Sequence, residues 1–502
     1  MIRRSIGLHH VYLFSGGIER MVANIAHLLV DMGYHCFVVI EEKLTDMDYA
    51  VPDGVIVYSL AYVKSEKERS EYLKKILYEE NVDIYIEEYI HQKTFDDDVA
   101  LVHSLGAKYI MADHSAFLRG LMYFRNEHRL ARKVSEKIDG IIVLSELSRK
   151  LWSSYGVRAY NIPNFTLEVP KQFDNTRSEL VWVGRLNYVK NWEAIFEVMN
   201  GLKDSGINLS VFGRGEKEEV QKFERMIIDN NLQECVKYKG YIADVSKIYK
   251  NAKILLNTSY IEGFPVTILE AKSLGIPIVT FNIPSDILQD QKGYISVDQG
   301  DVEGYIEAVR EICSNSELEQ QLIKEGLESA DNYSYSSAKT RWDKFIVDVL
   351  SGGTSDQQDA LSDSEILQLI DMAYHLNYVG YLSEHKKSNL FFAQMIKGLA
   401  DVQGKKLATY AYGKIGKKMQ RVLEDNCVKV DMIIDNIQCE HSENIISINQ
   451  FAEFDTENYL VLLCSVRIGS EADSQLRNQL YEVVDKQSIV DVSKLPLWYL
   501  ID

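Results

Sequence analysis

Two glutamates that could bind a polar ligand, Glu262 and Glu270, stand eight residues apart in the sequence. Glu262 lies in a turn that contains glycine and proline, and Glu270 lies on a predicted helix that begins near Pro265. Predicted strands at 254–257 and 276–281 flank this segment and complete a βαβ unit. Because such units open a ligand crevice at the carboxyl ends of their strands, both carboxylates are expected near that crevice.

The turn before this helix is suited to an anion. Gly263 lets a ligand come close to the backbone, and Phe264 and Pro265 lead into the first helical turn. The free amide groups of residues 263–267 have no partner within the helix. Since a helix N-terminus favours negative charge, an anion is the expected ligand.

Two cations could accompany that anion. Arg185 and Lys190 are five residues apart and follow a predicted strand at 180–183. Such a pair can bracket a diphosphate and neutralise the charge that develops on it as a leaving group. The alternative for the same residues is a surface pair beside the start of a helix.

Three glycines and one histidine also stand at predicted strand ends. Gly16 and Gly17 separate a strand from a helix, so their amides can approach a diphosphate or a sugar, although a pair of glycines is often only a tight turn. Gly213 follows a strand at 209–212 and is expected near a base or ribose. His114 follows another strand and faces the same crevice, or else is a structural histidine.

Composition defines the class of protein. The 502 residues are 46% hydrophobic, and strands alternate with helices throughout, which predicts an α/β protein with parallel sheets.

The formal charge of −19 argues against a nucleic-acid partner. No stretch approaches a membrane span and the N-terminus has no signal-peptide pattern, so a cytoplasmic protein is expected. The six cysteines lack C-x-x-C spacing, which argues against zinc or disulfides and for buried or half-buried thiols.

Changes in composition predict the domain boundaries. Prolines cluster around residues 160–170, an amphipathic helix is predicted at 333–350, and a glycine- and serine-rich linker follows it. The predicted segments are an N-terminal Rossmann-like domain at 1–165, a second at 166–332, a linker at 351–360 and a third α/β domain at 361–502.

Two charged segments have competing interpretations. Residues 117–137 are basic and aromatic, which indicates either a solvated helix face or a surface for an anionic membrane or a phosphate-linked acceptor. Asp96, Asp97 and Asp98 are interpreted as a solvated turn rather than a metal site.

Several motifs together resemble a retaining GT-B glycosyltransferase of the family 4 type, over about residues 5–350. The motifs are G-G-x-x-R at 16–20, I-P-N at 162–164, G-R-L-x-x-x-K at 184–190 and E-G-F-P-x-x-x-x-E at 262–270. The resemblance implies two facing Rossmann-like domains, with a nucleotide-sugar held mainly by the second. It also implies that helix 333–350 returns to the first domain.

The resemblance assigns a role to each candidate residue. Arg185 and Lys190 would hold the diphosphate, Glu270 the ribose, Glu262 the donor sugar, and His114 the sugar hydroxyls near the reaction centre. No metal and no cofactor are implied, because the cations and the helix N-terminus supply the charge and the nucleotide-sugar is itself a substrate.

The third domain contains a degenerate dinucleotide fingerprint at 410–416. Ala411 and Tyr412 occupy positions where small residues are needed, so they would obstruct a pyrophosphate, although Asp435 stands where a ribose-binding acid is expected. Residues 361–502 are therefore predicted to dock a partner protein, a second copy of the chain or the acceptor.

The predicted function is transfer of a hexosyl or N-acetylhexosaminyl group from a nucleotide-diphosphate sugar, with uridine as the favoured base. The predicted acceptor is a glycan, a lipid-linked or a protein-linked molecule in the synthesis of surface polysaccharides or glycoconjugates. The enzyme would work in the cytoplasm, with peripheral contact at the inner membrane face. The alternative is a non-catalytic sugar-nucleotide-binding subunit of another transferase, which the presence of both glutamates, Arg185 and Lys190 disfavours. A glycan phosphorylase would need a lysine for pyridoxal phosphate, and no segment identifies one.

Overall fold

Three parallel sheets follow one another along the chain in the computed structural model. The first two sheets belong to one compact unit and the third belongs to another. The structure describes residues 3–14, 16–88, 94–114, 134, 136–154, 156–167, 177–260, 262–283, 285–352, 393, 396–397, 400–401, 404–425, 427–440, 444–464 and 471–491.

The first sheet has seven parallel strands in the order β3-β2-β1-β4-β5-β6-β7. Along β2, five consecutive residues are buried, as expected for a parallel strand that is covered on both faces. The strands are β1 (Ser5–His10), β2 (His35–Ile40), β3 (Ile56–Ser59), β4 (Ile84–Glu87), β5 (Lys108–Asp113), β6 (Gly140–Val143) and β7 (Ala159–Asn161).

The helices around this sheet include one from the far end of the unit. Trp342 and Phe345, on helix Tyr335–Ser351, pack in one hydrophobic core with Leu8 and Val38 of the sheet. Burial of these large apolar side chains is what ties the late helix to the first sheet. The other helices are Gly17–Asp31, Glu66–Glu79, Phe95–Ser104 and Glu146–Ser154.

The second sheet has six parallel strands in the order β10-β9-β8-β11-β12-β13. Leu180 and Trp182 of β8 pack in one core and Val181 in another, because successive strand residues point to opposite faces. The strands are β8 (Glu179–Val183), β9 (Asn208–Phe212), β10 (Val236–Gly240), β11 (Ala252–Asn257), β12 (Ile278–Phe281) and β13 (Tyr294–Val297). The helices are Ala194–Leu202, Lys217–Asp229, Val245–Tyr249, Val266–Ser273, Val302–Ser314 and Ser316–Asp331.

The third sheet has five parallel strands in the order β16-β15-β14-β17-β18. Its core contains Tyr410, Ile434, Phe451 and Leu463. The strands are β14 (Lys406–Tyr410), β15 (Met432–Ile434), β16 (Ile445–Ile446), β17 (Tyr459–Leu463) and β18 (Ile489–Asp491), and the helices are Lys414–Asp425, Ile448–Phe451 and Glu471–Val483.

The α/β prediction is confirmed by these sheets, whereas the domain boundaries stay predictions. The strands of the first sheet end at Asn161 and those of the second begin at Glu179. Apart from residues 134, 136 and 137, the basic segment 117–137 lies outside the described residues, and so does the linker from residue 353 onward. Within the described residues, no helix is long and apolar enough to cross a membrane.

Two predictions about side-chain environments are each wrong for one residue. Asp96, Asp97 and Asp98 form the first turn of helix Phe95–Ser104, where Asp96 and Asp97 are exposed as predicted, but the prediction is wrong for Asp98, which is completely buried in an ion pair with Arg69 at 2.8 Å. Five of the six cysteines are buried or half-buried as predicted, and the prediction is wrong for Cys427, which is exposed.

Candidate functional site

The predicted site residues stand at the carboxyl ends of strands in the first two sheets, where ligands of open α/β sheets bind. In the first sheet, Gly16 and Gly17 follow β1 and His114 follows β5. In the second, Arg185 follows β8, Gly213 follows β9, and the segment with Glu262, Gly263, Phe264, Pro265 and Glu270 follows β11.

Lys190 and Glu262 form an ion pair at the edge of the second sheet. Lys190 Nζ lies 2.5 Å from Glu262 Oε1, and the Ser259 hydroxyl donates to the same oxygen at 2.6 Å. Thr258 Oγ1 donates to the carbonyl oxygen of Lys190 at 2.9 Å and thereby joins the two loops. Because an ammonium group has further hydrogens to donate, Lys190 can also bind a second anionic partner. The structure therefore brings together the cation predicted for the diphosphate and the carboxylate predicted for the donor sugar.

Arg185 is exposed at the end of β8. Its positive charge acts on two groups of the first sheet: it helps to lower the pKa of Glu19 and works against the rise that burial causes in the pKa of Tyr12. The guanidinium therefore lies near the turn that follows β1. No described residue forms an ion pair or a hydrogen bond with it, so it remains able to bind an anion.

Glu19 is a buried carboxylate that the sequence analysis missed. Its side chain turns back over Gly16, where a Cβ atom would fall 1.9 Å from Glu19 Oε2. Burial opposes ionisation, but His10, whose Nε2 lies 3.7 Å from Glu19 Oε1, helps to keep the pKa of Glu19 below its ordinary value. A carboxylate and not open space therefore lies beside Gly16, and a phosphate contact there would require Glu19 to turn away. The available signal was an acid in the first helical turn, next to the glycine pair.

Gly17 packs against the second domain. A Cβ atom on Gly17 would lie 3.6 Å from Val266 Cγ2, which is ordinary van der Waals contact. Val266 begins the helix that carries Glu270, so this glycine stands beside the predicted ribose-binding element.

Glu270 is buried and already has two partners. Arg20 Nη1 forms an ion pair with Glu270 Oε1, and the Tyr249 hydroxyl donates to Oε2 at 3.0 Å. The Arg20 guanidinium also lies 4.9 Å from the ring centre of Tyr49, so it links the first domain to the second. A carboxylate can accept more than one hydrogen bond per oxygen, so a contact from Glu270 to ribose stays a prediction.

Gly213 holds two loops of the second sheet together. Its φ of 140° favours glycine, and a Cβ atom would fall 1.8 Å from the carbonyl oxygen of Gly184. The next residue, Arg214, places its guanidinium 4.4 Å from the ring centre of Phe14 in the first domain. The structure thus gives Gly213 a packing role, and a donor contact by it stays a prediction.

The turn at Gly263, Phe264 and Pro265 is fixed mainly through its carbonyl groups. Ser285 Oγ donates to the carbonyl oxygen of Gly263 at 3.0 Å, and Asn164 Nδ2 donates to that of Phe264 at 2.9 Å. The Phe264 ring is buried against Tyr333, so it is a core side chain and only the backbone of Phe264 could contact a donor. Pro265 precedes helix Val266–Ser273 and has no amide hydrogen, so the amide donors lie on either side of it.

His114 is buried at the end of β5 and pairs through Nε2 with Glu88. Burial, the largest single influence, lowers the pKa of His114, but the charge and hydrogen bond of Glu88 together with the charges of Asp113 and Glu19 outweigh burial, and the net pKa is raised. Glu88 directly follows β4, the neighbouring strand, and the sequence analysis missed it.

The glycine turn of the third sheet is organised differently. Ala411 has a positive φ of 68°, and the backbone amide of Tyr412 donates to Asp435 Oδ2 at 2.6 Å. The other oxygen of Asp435 accepts from the amides of Ile437 and Gln438 at 2.9 Å and 2.7 Å. Asp435, the acid that would bind ribose in a dinucleotide site, therefore accepts hydrogen bonds from the protein's own backbone instead.

Two families match adjacent parts of the chain. Residues 165–329 match the family described as glycosyl transferases group 1, and residues 15–166 match glycosyltransferase family 4. A poly(ribitol-phosphate) alpha-N-acetylglucosaminyltransferase of Staphylococcus aureus is 26% identical over 44% of this chain and 46% of its own length, so the match spans about half of that relative. An uncharacterized glycosyltransferase of Haemophilus influenzae is 26% identical over 65% of this chain and 95% of its own length.

Solved structures share the fold. Anabaena HepE in complex with UDP and glucose has a TM-score of 0.58 at 14% identity, covering 69% of this chain and all of its own. The pneumococcal O-GlcNAc transferase GtfA in complex with UDP and GlcNAc has a TM-score of 0.57 at 13% identity and covers 70% of this chain. The first two sheets therefore form a GT-B fold. The two family matches together span residues 15–329, and over this region the chain belongs to the family 4 and group 1 glycosyltransferases.

Proposed function

We propose that this glycosyltransferase takes its sugar from a nucleotide-diphosphate donor, with uridine as the base, and transfers it with retention of configuration. The observation that carries the proposal is the Lys190–Glu262 ion pair at 2.5 Å, with the exposed Arg185 five residues before Lys190, after β8. Cations and a carboxylate at one sheet edge suit a ligand that joins a diphosphate to a sugar.

In this proposal each group acts on one part of the donor. Arg185 and Lys190 neutralise the charge that develops on the diphosphate as the glycosidic bond breaks. Glu262 accepts hydrogen bonds from the donor sugar, and Glu270 accepts them from ribose. His114 contacts the sugar hydroxyls, and the reaction requires neither a metal nor a cofactor.

The acceptor is proposed to be a glycan, a lipid-linked glycan or a protein in the synthesis of surface polysaccharides or glycoconjugates. Two relatives support this class: one is a poly(ribitol-phosphate) alpha-N-acetylglucosaminyltransferase, and another, from Streptococcus gordonii, is a peptide N-acetylglucosaminyltransferase subunit. The proposed place of reaction is the cytoplasm, with residues 117–137 as a peripheral membrane contact and 361–502 as a docking segment.

The proposal is tested with the purified full-length chain, a UDP-sugar and a simple glycoside acceptor. NMR of the product should show the anomeric configuration of the donor, and added EDTA should leave the rate unchanged. Inverted product or loss of the rate in EDTA would contradict retention or metal independence, respectively.

A second candidate is a sugar-nucleotide-binding subunit that needs a partner transferase. The observation in its favour is that the Streptococcus gordonii relative is named as a subunit. Turnover by the single purified chain would contradict this candidate, whereas activity that appears only with a second protein would support it.

A further inference from the structure

Glu88 and His114 form a buried pair on neighbouring strands of the first sheet. Glu88 follows β4 and His114 follows β5, and their side chains are 1% and 6% exposed. The backbone amide of Glu88 donates to the carbonyl oxygen of His9 at 2.9 Å, which fixes the start of the loop after β4. Because the two strands are hydrogen-bonded in register, the pair is held by the sheet itself.

The pair leaves one atom of each side chain without a partner in the described part of the chain. His114 Nε2 is bound to Glu88 Oε2, while His114 Nδ1 and Glu88 Oε1 are buried and have no hydrogen bond. Both residues line a small cavity with Met21, Ala112 and Asn164. Buried polar atoms normally have partners, so the free Nδ1 points to a ligand or a water molecule at this place.

Three carboxylates influence the His114 ring. Glu88 acts from β4, Asp113 is its neighbour in sequence, and Glu19 belongs to the helix that follows β1. Burial favours the neutral ring, but these charges outweigh it and raise the pKa of His114. An imidazolium ring carries a hydrogen on each nitrogen, so Nδ1 would then donate a hydrogen bond.

We propose that Glu88 is a positioning residue that holds His114 by Nε2, so that Nδ1 is the nitrogen that donates to a hydroxyl oxygen of the transferred sugar. This inference rests on the proposed function. In the structure Nε2 is the nitrogen bound to Glu88, which leaves Nδ1 as the ring nitrogen available to a ligand.

The test compares Glu88→Gln with Glu87→Gln in the full-length chain. The first substitution keeps an acceptor for Nε2 but removes the charge. Glu87 is the buried acid that ends β4, directly before Glu88, and it is not among the main charges that raise the pKa of His114. Glu88→Ala provides a second variant, and thermal melting shows whether each chain is folded.

Two measurements follow on each folded variant. NMR of histidine labelled with ¹⁵N, assigned with His114→Asn, gives the protonation of the His114 ring against pH. Glu88→Gln should lower the pKa of His114 and shift the alkaline limb of the pH–rate profile to lower pH. It should also reduce kcat roughly 10- to 100-fold, as expected for loss of a charged hydrogen bond, with little change in the affinity for UDP.

Unchanged ring titration and an unchanged pH–rate profile in Glu88→Gln would overturn the proposal, as would the same effects in Glu87→Gln. A wild-type chain that transfers no sugar would overturn the proposed function and the sugar contact with it. The ring titration would still show whether Glu88 holds His114, so the two failures are distinguishable.

Discussion

The first and third sheets each turn from a central strand into a helix, yet the two turns differ in what binds their backbone. After β1, Gly16 is the N-cap residue of helix Gly17–Asp31, and no side chain at this residue caps the helix. After β14, the amide of Tyr412 is bound to Asp435, and Ala411 adopts a positive φ. Each of the two strands is the first of its sheet in the chain and pairs with the second strand on one side and a later strand on the other. Strand order therefore does not explain why the two turns differ.

The difference teaches that a strand-end crevice becomes a ligand site only where polar groups remain available. In the second domain, Lys190 and Arg185 retain donors at the strand ends. In the third, Asp435 accepts three backbone hydrogen bonds, from Tyr412, Ile437 and Gln438. The fold therefore supplies the location, and the side chains decide the function.

The largest expected effect concerns the strand-end crevice of the second domain, where cations remain available, and is measured as activity. Lys190→Ala should lower kcat/KM for transfer by up to roughly 10³-fold, because a group that stabilises the leaving diphosphate is lost. Lys253→Ala is a matched control, since Lys253 pairs with Glu319 at 2.8 Å with a similar exposure but at the other end of β11. Steady-state kinetics with a UDP-sugar measure both, and equal losses in the two variants would contradict the assigned site.

The next effect concerns the link between the first two sheets. Arg20→Met should lower the free energy of unfolding by about 3 kcal/mol, because it leaves the buried Glu270 carboxylate without its cation. Urea denaturation measures this loss. The double variant Arg20→Met with Glu270→Leu should lose less than the sum of the single variants, and additive losses would show that the two side chains do not interact.

A buried charge cluster predicts acid sensitivity in the first sheet. Burial opposes ionisation of Glu41, but its hydrogen bonds with His9 and Arg69 lower its pKa to about 2. A carboxyl group whose pKa is lowered by folding stabilises the folded state at every pH above the ordinary pKa of that group. For Glu41 this contribution is about 3 kcal/mol, and it is lost as the pH falls from about 4.5 towards 2. Glu41→Gln should remove this pH dependence.

Hydrogen exchange at pH 5 and pH 3 locates the acid effect. Peptides of β1 and β2 should lose more protection than peptides of β14 and β17 in the wild type. Equal loss in both sheets, or the same loss in Glu41→Gln, would contradict the assignment to Glu41.

The smallest effect concerns the third sheet. Asp435→Ala should lower the stability of that region by about 1–3 kcal/mol, since the partly buried amide of Tyr412 and the amides of Ile437 and Gln438 lose their acceptor. UDP affinity and transfer should not change, because this turn is not expected to bind a nucleotide. Isothermal titration of the full-length variant measures the affinity, and weaker UDP binding would make the third sheet a nucleotide site.

The sequence predicted the strands and helices, and the meeting of Lys190 and Glu262 at one sheet edge, better than it predicted the long-range pairs. The strand-end rule brought Lys190 and Glu262 to one edge, where they form an ion pair. The Arg20–Glu270 pair joins residues 250 positions apart, and the Glu88–His114 pair depends on the order of the strands, so neither follows from local pattern. Asp98 looked solvated because its burial comes from Arg69 on another helix.

The central claim is that the first two sheets bind and cleave a nucleotide-sugar with Glu262 at the donor. The most direct measurement is mass spectrometry of hydrolysis and transfer across a panel of nucleotide sugars, with the wild-type chain and Glu262→Ala side by side. The wild type is expected to release UDP from a UDP-sugar, and folded Glu262→Ala is expected to do so at least about 100-fold more slowly. Equal rates in the two chains, or no turnover of any sugar by the wild type, would contradict the central claim.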